Sequence, residues 1–180
     1  QIVGALQTVV SRQVDITANP AIVTVGAIKG GIRNNIIPDD AEMIGTIRNF
    51  DPKQREQIIK AMERIVVNTA EANGATATLE INPGANPVTY NNPELTAKVL
   101  PTLKRVAGDE HVHVIPLVTG AEDFSYFAQK VPAVFFHVGI TPPGESPVTA
   151  PSNHSPQFHI DESALPLAAR ALAAVAVDYL

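Results

Sequence analysis

The sequence predicts an α/β fold in two parts, an α+β part followed by an α/β part. The first part combines apolar residues at helical spacing with β-branched runs, and one of its segments alternates strictly between polar and apolar residues. A loop rich in Asn and Pro follows at residues 82–87. Beyond that loop, strand and helix patterns alternate, as in parallel or mixed sheets. We therefore expect domains over residues 1–83 and 84–180.

The first part predicts the order helix, strand, strand, helix, strand. Its helices are expected at residues 1–11 and 52–73, and its strands at 21–28, 43–49 and 76–81. Asp51 is the expected N-cap of the second helix, with Gln54 placed to complete a capping box and Gly74 placed to end the helix.

One more strand ahead of Gln1 would complete the order β-α-β-β-α-β of a ferredoxin-like domain. The first helical pattern begins at Gln1 without an N-cap residue. We therefore expect the chain to be a fragment whose sheet lacks its first strand and leaves an open edge.

The second part predicts helices at residues 93–107, from 121 and at 163–179, with strands at 113–116 and 133–138. Two or three strands are too few for a free-standing sheet between helices. This part therefore indicates the end of a larger domain.

Composition excludes several classes of partner and site. The net charge is −5 without a run of Lys or Arg, which argues against nucleic acid and anionic membranes. No apolar run approaches the roughly 18 residues of a membrane span. Cysteine is absent, which excludes disulfides and thiolate metal ligands. The compartment, cytoplasmic or periplasmic, stays open.

His154 is the strongest candidate for metal coordination. It lies in a loop that Pro151 and Pro156 restrict, and an imidazole ligand must point in a defined direction. The alternative is a loop histidine bonded to a carbonyl oxygen. His159 is expected to be a packing residue or to lie behind a ligand. Because one histidine cannot hold a metal ion, the other ligands and a general base would lie outside this chain.

Arg48 shares a strand face with Ile44 and Thr46, so its guanidinium could grip a substrate carboxylate or simply extend to solvent. Thr119-Gly-Ala-Glu-Asp-Phe124 is a glycine turn into a predicted helix, whose N-terminus could bind an anion or a carbonyl oxygen. Its two acids could equally be ordinary residues of a helical first turn. Asn35 is explained by turn chemistry alone.

Together these motifs resemble the aminoacylase and hippurate hydrolase branch of the co-catalytic metallopeptidases, which includes the plant-type hydrolases of indoleacetyl-amino acids. The likeness runs in order through the whole chain. The segments that carry it are Ala5–Arg12, Asn35–Pro38, Gly45–Arg48, Thr119–Phe124, Asn153–Pro156 and Phe158–Glu162.

The resemblance implies that residues 1–83 are most of a ferredoxin-like lid and dimerisation domain, and that residues 84–180 end a zinc-peptidase-like catalytic domain. It makes His154 the last metal ligand. It also implies that Asn35 and Arg48 bind the scissile carbonyl and the carboxylate of a small N-acyl amino acid, and that Gly120 gives a backbone contact to that substrate.

An intact parent would hold two divalent ions (Zn, Mn, Co or Ni), use a Glu general base from upstream and form a homodimer through the lid. The 180-residue chain alone is expected to be inactive and to hold no metal stably. The alternative is a non-catalytic ferredoxin-like module for dimerisation or small-molecule binding.

Overall fold

An antiparallel strand pair and two helices form the first of two units in the computed structural model, which describes residues 1–180. This unit comprises residues 1–88 and 119–122, and the second comprises residues 89–118 and 123–180. The elements of the first unit are helix α1 (Ile2–Gln13), strand β1 (Ala21–Gly30), strand β2 (Ala41–Asn49) and helix α2 (Pro52–Glu71).

Strands β1 and β2 pair antiparallel in a register that places Ile22 opposite Arg48 and Thr24 opposite Thr46. A bulge interrupts the register between Val25 and Ala27. At Gly45, beside the bulge, an added Cβ would lie 2.3 Å from the carbonyl oxygen of Thr24. The close approach of the two backbones therefore requires glycine at this position.

The core of the first unit lies between one face of the hairpin and the two helices. Ile58 of α2 and Val9 of α1 are fully buried. Ala21 and Val23 of β1 are buried, whereas Ile22 between them is exposed, as expected for a sheet with one wet face. The buried core residues are Leu6, Val9, Ala21, Val23, Ile58, Ala61, Met62 and Val66.

Helix α2 begins and ends close to where the sequence predicts. One carboxylate oxygen of Asp51 accepts from the backbone N–H groups of Lys53 at 2.6 Å and Gln54 at 3.0 Å. The Gln54 side chain donates instead to the carbonyl oxygen of Asn19 at 2.7 Å, so the predicted capping box is not closed. Gly74 follows the helix with a φ of +72°, a conformation that glycine adopts at little cost.

The predicted strand at residues 76–81 is wrong, because the segment pairs with no other strand. The alternation of polar and apolar residues that indicates a strand is nevertheless matched by alternating burial of the side chains. Ala77 and Leu79 pack against the core, while Thr76, Thr78 and Glu80 are exposed. Alternation determines which side chains face the core, but a strand also needs a neighbouring backbone to pair with. The sheet has two strands, and the complete ferredoxin-like arrangement stays a prediction.

The second unit is built from helices α3 (Pro93–Ala107), α4 (Phe124–Ala128) and α5 (Ala164–Tyr179), with a single 3₁₀ turn at Asp109–His111. Helices α3 and α5 pack together and are joined by polar contacts. Asp178 of α5 accepts from the hydroxyl of Thr102 and from the guanidinium of Arg105, the latter at 2.5 Å. The predictions of α3 and α5 are confirmed.

The predicted strands at residues 113–116 and 133–138 are wrong. At Phe135, a side-chain amide forms the hydrogen bonds that a neighbouring strand would otherwise form with the backbone. The amide of Asn91 donates to the Phe135 carbonyl at 2.8 Å and accepts from the Phe135 N–H at 2.7 Å. The short run at 113–116 is exposed, with Val114 98% exposed. Neither segment has a strand beside it to complete a ladder.

None of the helices combines the length and apolar character that a membrane crossing requires.

Candidate functional site

Arg48 lies on the outer face of the hairpin, opposite Ile22, and is half-buried. Its Nη1 donates to the carbonyl oxygen of Thr119. Thr119 directly precedes Gly120, and residues 119–122 belong to the same unit as β2. The structure thus places Arg48 in contact with the residue next to Gly120, and the sequence predicts that both Arg48 and Gly120 contact the substrate.

The acceptor of Arg48 within the chain is a carbonyl oxygen, whereas the sequence leaves open a substrate carboxylate or extension to solvent. A guanidinium carries a full positive charge and five N–H donors in a planar fork. A carbonyl oxygen carries only a partial charge and uses one of those donors here. This contact therefore orients the side chain without neutralising it.

The segment around Gly120 differs from its prediction. Helix α4 begins at Phe124 and is five residues long, so Glu122 and Asp123 precede the helix instead of forming its first turn. Gly120 is exposed in irregular structure. The predicted helix N-terminus is consequently not positioned at Gly120, and any contact from this residue would come from the backbone of the 119–122 segment itself.

Asn35 lies in the connection between β1 and β2 and is exposed. This connection begins at Gly31, whose φ of +72° permits the sharp change in chain direction. Its apolar residues are also exposed, and Ile37 is 93% exposed.

His154 lies in a series of turns in the second unit, as the prolines around it predict. The N–H of Ser155 donates to the carbonyl of Ser152 at 2.8 Å, and the N–H of Phe158 donates to the carbonyl of Ser155 at 3.1 Å. The imidazole itself is exposed. Such turns hold the backbone while leaving the side chain accessible.

His159 is half-exposed and lies within hydrogen-bonding distance of a carboxylate, where the sequence predicts a packing residue or one behind a ligand. Its Nε2 lies 2.9 Å and 3.0 Å from the two carboxylate oxygens of Glu145, and its Nδ1 lies 3.1 Å from the carbonyl oxygen of Gln157. The hydrogen bond with Glu145, the bond with Gln157 and the Glu145 charge raise the pKa of His159 above its usual value. Sequence reasoning missed Glu145, because its partner lies 14 residues away and no local pattern links them.

The donor chemistry of His154 fits a metal ligand, since an exposed imidazole on a held backbone can donate an electron pair to a metal ion. The chain nevertheless has no group of three or more His, Cys, Asp or Glu side chains placed to hold a metal ion. His154 can therefore supply one ligand of a larger set, and the residues present do not complete a metal site.

Comparison with known proteins places these residues in a family. Thermostable carboxypeptidase 2 of Saccharolobus solfataricus is 38% identical over 99% of this chain and 44% of its own length. The IAA-amino acid hydrolase ILR1-like 4 of Arabidopsis thaliana is 34% identical over 99% of this chain and 41% of its own length.

A solved structure agrees with these sequence matches. The Bacillus subtilis YXEP protein, described as a dinuclear metal-binding peptidase of the M20 family, superposes with a TM-score of 0.70 and 27% identity. The match covers 99% of this chain and 44% of that protein. This likeness confirms the α/β class that the sequence predicts.

The family model that matches the chain, Peptidase family M20/M25/M40, spans residues 5–178. The chain belongs to this family, and the resemblance seen in the sequence is confirmed. The chain spans less than half the length of the curated relatives that it matches.

Proposed function

We propose that this chain is part of a metal-dependent amidohydrolase that cleaves the amide bond of N-acyl amino acids. The observation that carries the proposal is the contact between Arg48 and the Thr119 carbonyl, which places a guanidinium beside Gly120. The name of one relative, an IAA-amino acid hydrolase, describes this kind of substrate. The solved relative is described as binding two metal ions.

In the proposed site, Arg48 receives the carboxylate of the substrate. Its fork of N–H donors suits a planar carboxylate, and its contact with the Thr119 carbonyl restricts where the fork can point. Gly120 lies in the same segment and would contribute a backbone contact to the bound substrate. The side-chain amide of Asn35 would donate a hydrogen bond to the oxygen of the scissile carbonyl.

His154 would hold one metal ion through its exposed imidazole. When bound, divalent ions in such a site polarise the amide carbonyl and activate water. The remaining ligands and the general base are assigned to a longer polypeptide, since the chain covers only 44% of its carboxypeptidase relative. In that polypeptide, residues 1–83 would be the lid and residues 84–180 the end of the catalytic domain.

Metal titration of the longer polypeptide tests the assignment of His154. His154→Ala removes a ligand, so the affinity for Zn²⁺ or Mn²⁺ measured by calorimetry should fall roughly 100-fold or more. Hydrolysis of N-acyl amino acids should fall with it. The matched control is His113→Ala, an exposed histidine in an irregular segment, which should leave both unchanged. Unaltered metal affinity in His154→Ala would contradict the proposal.

Pairing of two copies is a second candidate function. Each of the two strands has one edge without a partner strand, and exposed apolar residues such as Ile28 and Ile44 lie along the hairpin. An open edge is a template for pairing with another chain. Sedimentation should then show dimers that increase with protein concentration and do not depend on metal. A monomer at every concentration would exclude this function.

A further inference from the structure

Residues 140–161 form a closed loop that carries His154. At its base, the N–H of Asp161 donates to the carbonyl of Ile140 at 2.8 Å. A second tie, between Glu145 and His159, joins its two sides at 2.9 Å. Inside the loop, successive turns give the backbone local hydrogen bonds. These two ties and the turns between them constrain the backbone of the segment that carries His154.

The geometry of His159 is that of a charged imidazolium. Nδ1 faces the carbonyl oxygen of Gln157, and Nε2 faces the carboxylate of Glu145. Both of these groups accept hydrogen bonds and neither donates one. A neutral imidazole has a single N–H and can satisfy only one of them, whereas the protonated ring can donate to both. Loss of the ring proton therefore weakens the tie on one side of the loop.

We propose that Glu145 and His159 form a proton-dependent latch that positions the loop bearing His154. The latch deepens the proposed function and rests on it, because positioning His154 matters if that imidazole binds a metal ion. Glu145 and His159 are positioning residues, since neither lies in the place assigned to substrate or metal.

The direction of the pH dependence follows from the groups around His159. Glu145 is the charged group that acts on its ring. The carboxylate of Asp161, two residues along the chain, accepts from the Ser163 N–H at 2.9 Å. The pKa of His159 is raised above its usual 6.5. The latch therefore opens as the pH rises from about 6.5 through the raised pKa.

NMR of the isotopically labelled 180-residue chain tests the latch. The ring titration of His159 gives its protonation, and heteronuclear relaxation of the backbone amides of Asn153 and His154 gives the order of the loop. The order should be high at pH 6 and fall as His159 deprotonates. Glu145→Gln should shift the His159 midpoint downward and abolish the pH step in loop order.

Two further variants separate the latch from a general effect on folding. Glu110→Gln breaks the other exposed Glu–His pair, with His111 at 3.4 Å, and should leave the loop unchanged. Exchanging the partners, Glu145→His with His159→Glu, should restore the order that Glu145→Gln removes. If the backbone order of the loop changes neither with pH nor in Glu145→Gln, the proposal of a latch is wrong.

The two proposals fail separately. A pH-dependent loop together with unchanged metal affinity in His154→Ala would support the latch and refute the metal assignment. Weakened metal binding in His154→Ala together with a loop that is indifferent to Glu145→Gln would do the reverse.

Discussion

The Nη1 of Arg48 donates to the carbonyl oxygen of Thr119, across 71 positions of the sequence. This hydrogen bond links strand β2 to the segment that carries Gly120. The bond orients an arginine on the outer face of the sheet, although its acceptor is a carbonyl oxygen and not a carboxylate. A bound carboxylate would provide the counter-charge that the carbonyl cannot.

Replacement of Arg48 by Lys in the longer polypeptide should weaken substrate binding. Lysine keeps the charge but loses the planar fork, and a hydrogen bond to a charged group contributes about 1.5–3 kcal/mol. We therefore expect KM for an N-acyl amino acid to rise about 10-fold to 100-fold, with a smaller change in kcat.

Arg170→Lys is the matched control for this substitution, because Arg170 is an exposed arginine on helix α5. It should leave KM unchanged. Equal KM values for Arg48→Lys and the unsubstituted protein would show that Arg48 does not bind the substrate carboxylate.

The first unit could be predicted well because its signals are local. Asp51 and Gly74 mark the ends of α2 by their own chemistry, and both act as expected. The strands β1 and β2 follow from β-branched runs joined by a connection that begins at Gly31. The strand at residues 76–81 could not be predicted correctly, because pairing depends on a neighbour that the pattern does not contain.

The sequence predicts candidate site residues but not the contacts that the structure gives them. Proline spacing indicated a restrained loop around His154, which the turns bear out. The pairing of His159 with Glu145 and the reach of Arg48 to Thr119 depend on how distant segments fold together. Neither of these two contacts produces a periodic pattern that a single sequence would reveal. The positions of such contacts require the tertiary structure.

Gly45→Ala should destabilise the hairpin. The new methyl group would lie 2.3 Å from the carbonyl oxygen of Thr24, and backbone atoms must move to accommodate it. We expect a loss of about 1–3 kcal/mol in the free energy of unfolding, measured by urea denaturation.

Gly4→Ala is the control for this change. Its Cβ would meet no atom within 4 Å, and it lies inside α1. Alanine should stabilise that helix by about 0.5–1 kcal/mol. Equal effects of the two substitutions would show that the backbones do not approach closely at Gly45.

Ile58→Ala should be among the most damaging core substitutions. Its side chain is fully buried between α2 and the rest of the core, so its removal leaves a cavity. Such changes cost about 2–5 kcal/mol. Ile22→Ala is the comparison, because Ile22 is 44% exposed on the outer face of β1 and should cost clearly less in the same urea titration.

Asp178 should make the packing of α3 on α5 sensitive to acid. Hydrogen bonds from Thr102 and then from Arg105 hold the pKa of Asp178 below its usual value of 3.8. A depressed pKa in the folded state stabilises the fold above 3.8, and this stabilisation is lost as the pH falls through the depressed value. Asp178→Asn should therefore lower Tm at pH 7, and the difference from the unsubstituted chain should shrink toward pH 2.

Thr102→Val and Asp39→Asn make this test specific. Thr102 is buried, so loss of its hydroxyl should cost about 1 kcal/mol at pH 7 and progressively less as the pH falls and its acceptor takes up a proton. Asp39→Asn changes an exposed carboxylate in the connection between β1 and β2 and should not alter the pH profile of Tm. A Tm difference for Asp178→Asn that stays constant from pH 7 to pH 2 would show that the carboxylate charge does not stabilise the contact between these helices.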